Sequence, residues 1–380
     1  MKIALVVPGF SAHEQDWGIP ALLDYVRALA RQAEVHVFTL RWPEYERTYS
    51  VYGATVHALD GREHLGARAV SLWARALRAM TAEHRRAPFD VLHAFWADEP
   101  GWVAALASRR LKVRAIISLA GGELVGRRDL GYGLQLLPGR KMLIRFALHH
   151  TDHVTAGSKY LCALARPHCD PRKLVRVPLG VDTVRFSPLA LGDVSSGAKG
   201  SGEGQGVREK SGIILNVASL SPVKNHVLLL RAFRHVSAER PEAHLQLAGD
   251  GPLKPELIRL AEGLKVEFLG EVNHGALPDV YRRAAVFAQT SWHEAQGMAV
   301  LEAAACGVPV VGTPVGILPE VGLVAGNEDE LAQRLMGLLR DTPRRRALGE
   351  AARKKVEAEY SLASTMERFT TLYRAETDSV

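Results

Sequence analysis

Cysteine is scarce in this 380-residue chain. Cys162, Cys169 and Cys306 are an odd number with no paired C-x-x-C spacing, which argues against a disulfide framework or a zinc site and fits a reduced, cytosolic compartment. Long apolar runs are also absent. The longest, such as Ile3–Val7, are the length of a strand, far short of the ~20 residues a membrane span needs. Lys2 leads directly into that run and then into Pro8-Gly9, so the N-terminus reads as a first β-strand and not as a signal peptide. No basic stripe with interleaved aromatics suggests nucleic acid, and no short repeat suggests a solenoid. His149, His150 and His153 have no carboxylate or thiol at ligand spacing, so no metal site is expected there.

What is present is a balanced globular composition, 47% apolar and 23% charged, in a chain too long for one ordinary core. The net charge of +7 is uneven: residues 1–186 hold 26 Lys and Arg against 17 Asp and Glu, and the remainder 22 against 24. The basic half can serve solubility alone, or it can meet a phosphate-bearing substrate or acidic lipid headgroups. In that half, β-branched runs (KIALVV, EVHVFTL, FDVLHAF, VRAIISL, HVTAGS) alternate with amphipathic stretches such as ALLDYVRALARQ and HLGARAVSLWARALRAMTAEH. The alternation resumes with IILNVAS, AHLQLAG, KVEFLG, AAVFAQT and VPVVGT and the helical segments between them, and helices run from Pro343 to about Tyr360 and from about Leu362 to Tyr373. Strand and helix in turn imply parallel sheets with crossover helices. The expected organisation is therefore α/β, with two Rossmann-like domains (1–187 and 212–358) facing across a ligand cleft. A Gly/Ser-rich linker (188–211) joins them, and a C-terminal helix (359–380) returns to the first domain.

The chemistry concentrates in Ser291–Glu320, SWHEAQGMAVLEAAACGVPVVGTPVGILPE. A strand ends in a loop carrying Glu294. Gly297 then permits close backbone approach and opens a helix, leaving the amides of Gly297, Met298 and Ala299 free to hold a diphosphate. Glu302, inside that helix, is placed to accept hydrogen bonds from ribose hydroxyls, and Glu294 lies toward the sugar.

Glu294 and Glu302, with seven residues between them, together with Gly297, CGVPVVGT, Gly316 and Glu320, resemble the E-x7-E block of the retaining family 4 glycosyltransferases. The resemblance continues in order through VRVPLGVDTVRF (175–186), NVASLSPVKN (216–225), LAGDGP (247–252) and VEFLGEV (266–272), covering nearly the whole chain. It implies the GT-B fold of the glycogen-phosphorylase superfamily. Lys224 is then the cation for the donor diphosphate, and Gly270 and Val272 lie beside the nucleotide base. Two departures stand out. Ser219 occupies the place of the family's common Arg, so one diphosphate cation is missing. ISLAGGELVG (117–126) replaces the family's H-G-x-D segment, with Ala120 for His and Glu123 for Asp. Gly121, Gly122 and Glu123, with Gly18 in the N-terminal loop, are the expected acceptor-side contacts, and His13, Glu14 and Asp16 can join them or simply be solvated.

The resemblance implies a metal-independent, retaining hexosyltransferase with no cofactor. Its co-substrate is a UDP- or GDP-sugar, and its acceptor a glycan, a lipid-linked species or a small molecule in bacterial cell-surface synthesis. No D-x-D motif is present, and Lys224 and helix amides would neutralise the diphosphate. The mixed basic and apolar segment Gly126–Phe146 reads as a lid, a membrane-facing patch or an ordinary surface helix, which allows a peripheral membrane location for an otherwise cytoplasmic protein. Two alternatives stay open: a catalytically weakened nucleotide-sugar-binding subunit, which Ser219 and Ala120 would suit, and a nucleotide-sugar epimerase on the same scaffold.

Overall fold

Along β1 (Lys2–Gly9), Ile3, Leu5 and Val7 enter one hydrophobic cluster while Ala4 and Val6 enter another, so both faces of the first sheet are covered. The structure is a computed structural model that describes residues 1–16, 18–62, 66–188 and 212–375. The expected 188–211 linker lies, but for Pro188, outside the described residues. The described chain forms two units: Met1–Gly180 with Glu294–Gln296 and the segment from Leu362, and Val181–His293 with Gly297–Ser361.

In the first unit, β1 is followed by α1 (Pro20–Leu29), β2 (Glu34–Trp42), β3 (Glu46–Val51), β4 (Ala54–Leu59), α2 (Ala69–Arg86), β5 (Val91–Phe95), α3 (Glu99–Leu111), β6 (Arg114–Leu119), α4 (Pro138–His149), β7 (His153–Ala156), α5 (Lys159–Ala165) and β8 (Leu174–Arg176). The sheet order is β3-β4-β2-β1-β5-β6-β7-β8, parallel except for the antiparallel β3–β4 pair. Pro at the first turn suits α1, α3 and α4, where the missing N–H would have had no partner. The buried faces follow helical spacing, as in Leu72, Ala76 and Met80 of α2. Two features were not anticipated. The β3–β4 hairpin turns on Tyr52-Gly53, both at positive φ, as a two-residue hairpin loop requires. Helix α3 is rich in alanine and carries Pro100 and Gly101, which blur its period.

The second unit runs through β9 (Ile213–Val217), α6 (His226–Glu239), β10 (His244–Ala248), α7 (Lys254–Leu260), β11 (Val266–Gly270), α8 (Leu277–Arg283), β12 (Val286–Gln289), α9 (Met298–Ala305), β13 (Val310–Gly312), α10 (Leu318–Val321), β14 (Leu323–Val324), α11 (Glu328–Arg340) and α12 (Thr342–Glu359). Its all-parallel sheet has the order β11-β10-β9-β12-β13-β14. Ile214 and Leu245 pack with α6 and α11 on one face, and Leu215 and Phe287 with α8, α9 and α12 on the other.

Helix α13 (Leu362–Arg374) belongs to the first unit, where Met366, Phe369 and Tyr373 join the cluster of α1 and β1. A buried polar chain fixes it there. The hydroxyl of Tyr373 bonds that of Tyr25 and lies 2.6 Å from Nδ1 of His93; His93 Nε2 is 2.7 Å from Ser118 Oγ, which is 2.5 Å from Thr155 Oγ1. Burial pushes His93 down to about 3, so the ring stays neutral.

Two outcomes follow from this chain. Tyr373→Phe strands His93 Nδ1 and the Tyr25 hydroxyl at a cost of about 1–3 kcal/mol, read as a lower thermal midpoint. The second concerns pH. The folded value of His93 lies below the ordinary ~6.5, so its contribution is complete above ~6.5 and is lost as pH falls toward 3, at about 1.4 kcal/mol per pH unit. Between pH 6.5 and 5 the wild type should lose stability more steeply than a His93→Gln variant; equal slopes would contradict this.

Candidate active site

Strand order in the second sheet reverses between β9 and β12, so the loops leaving their carboxyl ends diverge and open a crevice at the sheet edge. Those two loops carry Lys224 and Gly297. After β9 the chain passes Ser219, makes a short 3-10 turn at Pro222–Lys224 and enters α6 through Asn225 at φ +50°. The loop after β12 is fastened to this turn: Thr290 Oγ1 donates to the carbonyls of Asn225 (3.0 Å) and Lys224 (3.3 Å), and the Trp292 amide donates to Val223 O at 2.8 Å. Thr313 Oγ1 secures the same loop through Ser291 O at 2.6 Å. Lys224, half-buried, is thereby fixed by its backbone at the crevice.

The loops after β10 and β11 complete this edge. Gly249, at φ +132°, lies so close to the β9 loop that a Cβ would stand 2.0 Å from Ala218 O. Ala218 N donates to Ala248 O at 3.0 Å, Leu220 N to Asp250 O at 2.9 Å, and Gly249 N to Gly270 O at 2.7 Å. Gly270 is at φ +67° with open space on its Cβ side, and Val272 is partly buried against the α8–α9 cluster. Ser219 is exposed, its Oγ 3.1 Å from that of Ser221, so hydroxyls stand where a guanidinium was the common expectation.

Gly297 caps α9 at φ +93°, ψ +66°, a conformation that favours glycine. Its amide has no partner among the described residues, at a helix start where first-turn amides lack intrahelical acceptors. Partial positive charge therefore gathers at the start of α9. Glu302 is 7% exposed and already engaged: Tyr281 donates to Oε2 at 2.8 Å, and His274 Nε2 lies 3.2 Å from Oε1. Two hydrogen bonds leave lone pairs for a ribose hydroxyl, but the carboxylate is a fixed acceptor held by α8 and the segment before it.

Glu294–Gln296 belongs to the first unit. Ser158 Oγ donates to Ala295 O at 2.7 Å, and the Gln296 carboxamide brackets the backbone of Leu179, at 2.5 and 2.9 Å. Glu294 is half-buried, and its charge helps raise two phenols: Tyr132, pushed up to about 12 chiefly by burial, and Tyr160. It therefore sits among hydroxyl donors at the carboxyl edge of the first sheet.

The residues expected on the acceptor side lie as follows. Glu123 is fully buried, its carboxylate taking the amides of Ala120 (3.0 Å) and Gly121 (2.6 Å), so it ties its own loop. Burial raises its carboxyl above the ordinary range. The close approach at Gly121 and Gly122 is made by this chain's own rings, since a Cβ would meet Trp96 Nε1 at 2.9 Å and the Tyr132 hydroxyl at 3.0 Å. Gly18 is exposed ahead of α1, and nearby Asp16 caps the Ala12 amide at 2.7 Å. No local motif announces a neighbouring ion cluster in which Arg41 grips Glu99 at 2.6 and 2.7 Å and Arg140 bridges Asp98 and Glu99 at 3.0 Å. Its members are far apart in the chain, as are Tyr132, Tyr160, His274 and Tyr281. Among the described residues no three His, Cys, Asp or Glu side chains come together as metal ligands.

Comparison with known proteins places this geometry in a family. Residues 21–185 match the model described as Glycosyltransferase Family 4, and residues 202–355 match Glycosyl transferases group 1. A Corynebacterium glutamicum protein named GDP-mannose-dependent monoacylated alpha-(1-6)-phosphatidylinositol monomannoside mannosyltransferase is 30% identical over 323 residues, covering 80% of this chain and 83% of that protein. The Bacillus anthracis N-acetyl-alpha-D-glucosaminyl L-malate synthase is 28% identical, covering 78% of each. In fold, the chain resembles sucrose-phosphate synthase from Thermosynechococcus elongatus (TM-score 0.75, 20% identity, 98% of each chain) and Anabaena HepE in complex with UDP and glucose (TM-score 0.72, 18% identity, 98% of this chain and 99% of that one). The chain belongs to the family 4 glycosyltransferases and has their GT-B fold of two parallel-sheet α/β domains.

Proposed function

We propose that this enzyme moves a hexose-type sugar from a UDP- or GDP-sugar to an acceptor hydroxyl with retention of anomeric configuration, in synthesis of a bacterial surface glycan or glycolipid. The observation that carries the reading is the reversal of strand order between β9 and β12, whose loops carry Lys224 and the start of α9 at Gly297 and are fastened to each other by Thr290; on this reading the Lys224 ammonium and the amides at that helix start hold the diphosphate. The second unit takes the donor, with Gly270 and Val272 toward the base and Glu302 toward the ribose. As the bond from sugar carbon to phosphate oxygen breaks, charge grows on the leaving diphosphate, and the seat stabilises it more than it stabilises the intact donor. The acceptor oxygen bonds to the same face of the carbon, and its proton passes to the departing phosphate oxygen. Glu294 holds donor-sugar hydroxyls and orients the ring; it is not assigned as a covalent nucleophile.

A lipid-linked acceptor is the favoured class. The Corynebacterium relative is named for a phosphatidylinositol mannoside, and the first unit carries a groove of about 1180 Å³ between α4 and the segment at 167–173. Its wall offers Lys141, Arg145 and Lys173, with Met142 (73% exposed) beside Phe146, and Leu137 (51% exposed) precedes it. Lys141 and Arg145 have no ion pair among the described residues. Cations beside exposed apolar groups suit an anionic bilayer surface, and no helix of the described chain is long and apolar enough to cross a membrane.

UDP or GDP, or a sugar of one of them, should raise the thermal midpoint, since a ligand binding only the folded state stabilises it. Lys224→Ala should lower kcat/KM by roughly 10²-fold, the scale for losing one donor to a developing oxyanion, and should also weaken nucleotide binding. Glu294→Gln should lower kcat by a similar factor while leaving the nucleotide-induced shift intact. Full turnover in the Glu294 variant, or no stabilisation by either nucleotide, would overturn the assignment. In co-sedimentation, phosphatidylglycerol vesicles should retain the protein at low salt and phosphatidylcholine vesicles should not. Lys141→Glu with Arg145→Glu should abolish retention; retention unchanged by that pair would remove the groove from the surface contact.

A further inference from the structure

Gln289, the last residue of β12, is only 4% exposed, and neither Oε1 nor Nε2 has a hydrogen-bond partner among the described residues. A primary carboxamide brings two donors and an acceptor oxygen into the interior, and with none of them matched their desolvation is uncompensated. The backbone of the residue is fully used: its carbonyl accepts from Thr313 N at 2.9 Å, and Gly312 is obligatory beside it because a Cβ there would stand 1.7 Å from that oxygen. Packing does not require the amide either, since Leu or Met has comparable volume and nothing to satisfy. In the second unit, among the described residues, one other buried side chain has such an orphaned atom. It is His226, whose Nε2 meets Asn216 Oδ1 at 3.0 Å and whose Nδ1 meets nothing. Both flank the same crevice: His226 follows the Lys224 turn, and Gln289 lies under the start of α9.

The position of Gln289 relative to Gly297 is specific. A Cβ on Gly297 would lie 3.3 Å from Oε1 and 3.4 Å from Nε2, so the carboxamide faces the backbone of the residue that caps α9. That backbone is in the left-handed region and its amide is unpartnered. Native proteins keep buried polar groups unmatched where a second state or a ligand completes them.

We infer that Gln289 is a positioning residue for the turn that receives the donor diphosphate, an inference that rests on the anion seating at the start of α9. An anion there draws the unpartnered amide of Gly297 toward itself, and the peptide unit at Gly297, free of a Cβ, rotates to meet it. The carboxamide below can donate to a carbonyl or accept from an N–H, so it fixes the rotated peptide without touching the ligand. An apolar residue at 289 leaves the turn unheld and returns the desolvation cost to the ligand-free protein. Stability without ligand and affinity for the diphosphate should therefore move in opposite directions, which a residue serving only the core would not do.

Gln289→Leu and Gln289→Met, made separately, remove the amide while preserving bulk. Thermal midpoints with and without UDP and GDP, and donor KM and kcat, are measured for the full chain. Each variant that folds should melt higher than wild type without nucleotide, show a smaller nucleotide-induced shift, and have a donor KM raised about tenfold with a lesser change in kcat. Gln289→Glu should bind nucleotide more weakly still, because its charge opposes the diphosphate. If the Leu and Met variants gain as much from nucleotide as wild type, at unchanged KM, the role of Gln289 is overturned while the diphosphate seat stands. If wild type gains nothing from UDP or GDP, the seat itself fails and Gln289 with it.

Discussion

In a parallel sheet every strand ends on the same edge, and the loops that leave it normally return over one face or the other. At the one place where strand order turns back, two neighbouring loops depart to opposite faces and the edge between them stays open. In the second unit that place lies between β9 and β12, and the rest of the site depends on it. An open edge alone binds nothing. In the proposed site the β9 loop ends in the Lys224 turn, the β12 loop ends at a helix start, and Thr290 and Trp292 lock one loop to the other. The glycines at 249 and 312 let strand ends pack within contact distances that any side chain would block. The two loops therefore hold a common geometry, and in the proposed reaction such preorganisation would let fixed dipoles act on charge that develops late.

Much of this was readable from the residues. Strands reveal themselves by short β-branched runs, and the helices of the second unit by periodic apolar positions such as Leu331, Leu335 and Leu338. Lys224, Glu294, Gly297 and Glu302 were marked because they sit at fixed offsets within one or two local segments. What stayed hidden depends on contacts made far along the chain. Nothing local to Glu123 announces that its carboxylate folds back onto Ala120 and Gly121 and is buried completely. Nor does the helix pattern of α9 indicate that Tyr281 and His274 reach Glu302. The β3–β4 hairpin was missed for a different reason: β3 is exposed over most of its length, so ERTYSV lacks the apolar alternation that signals a strand. Gln289 was hidden by its surroundings, a single polar residue at the end of an apolar strand, where the same letters describe a solvated end or an orphaned amide.

Ser219 sharpens what these contacts must accomplish. Where the family commonly places Arg, the loop after β9 presents two hydroxyls 3.1 Å apart, leaving Lys224 as the cation its turn contributes. A diphosphate carries more negative charge than one ammonium can match, so more of the neutralisation falls to backbone N–H groups. Side-chain substitution cannot tune those groups, because their direction is set by peptide planes alone. The planes here are governed by the left-handed backbone at Gly297, by the Thr290 and Thr313 hydroxyls that fasten the β12 loop, and by whatever lies directly beneath the helix start. A buried carboxamide under the capping glycine, costly to an empty protein, makes physical sense in a site whose remaining leverage is the orientation of three amides.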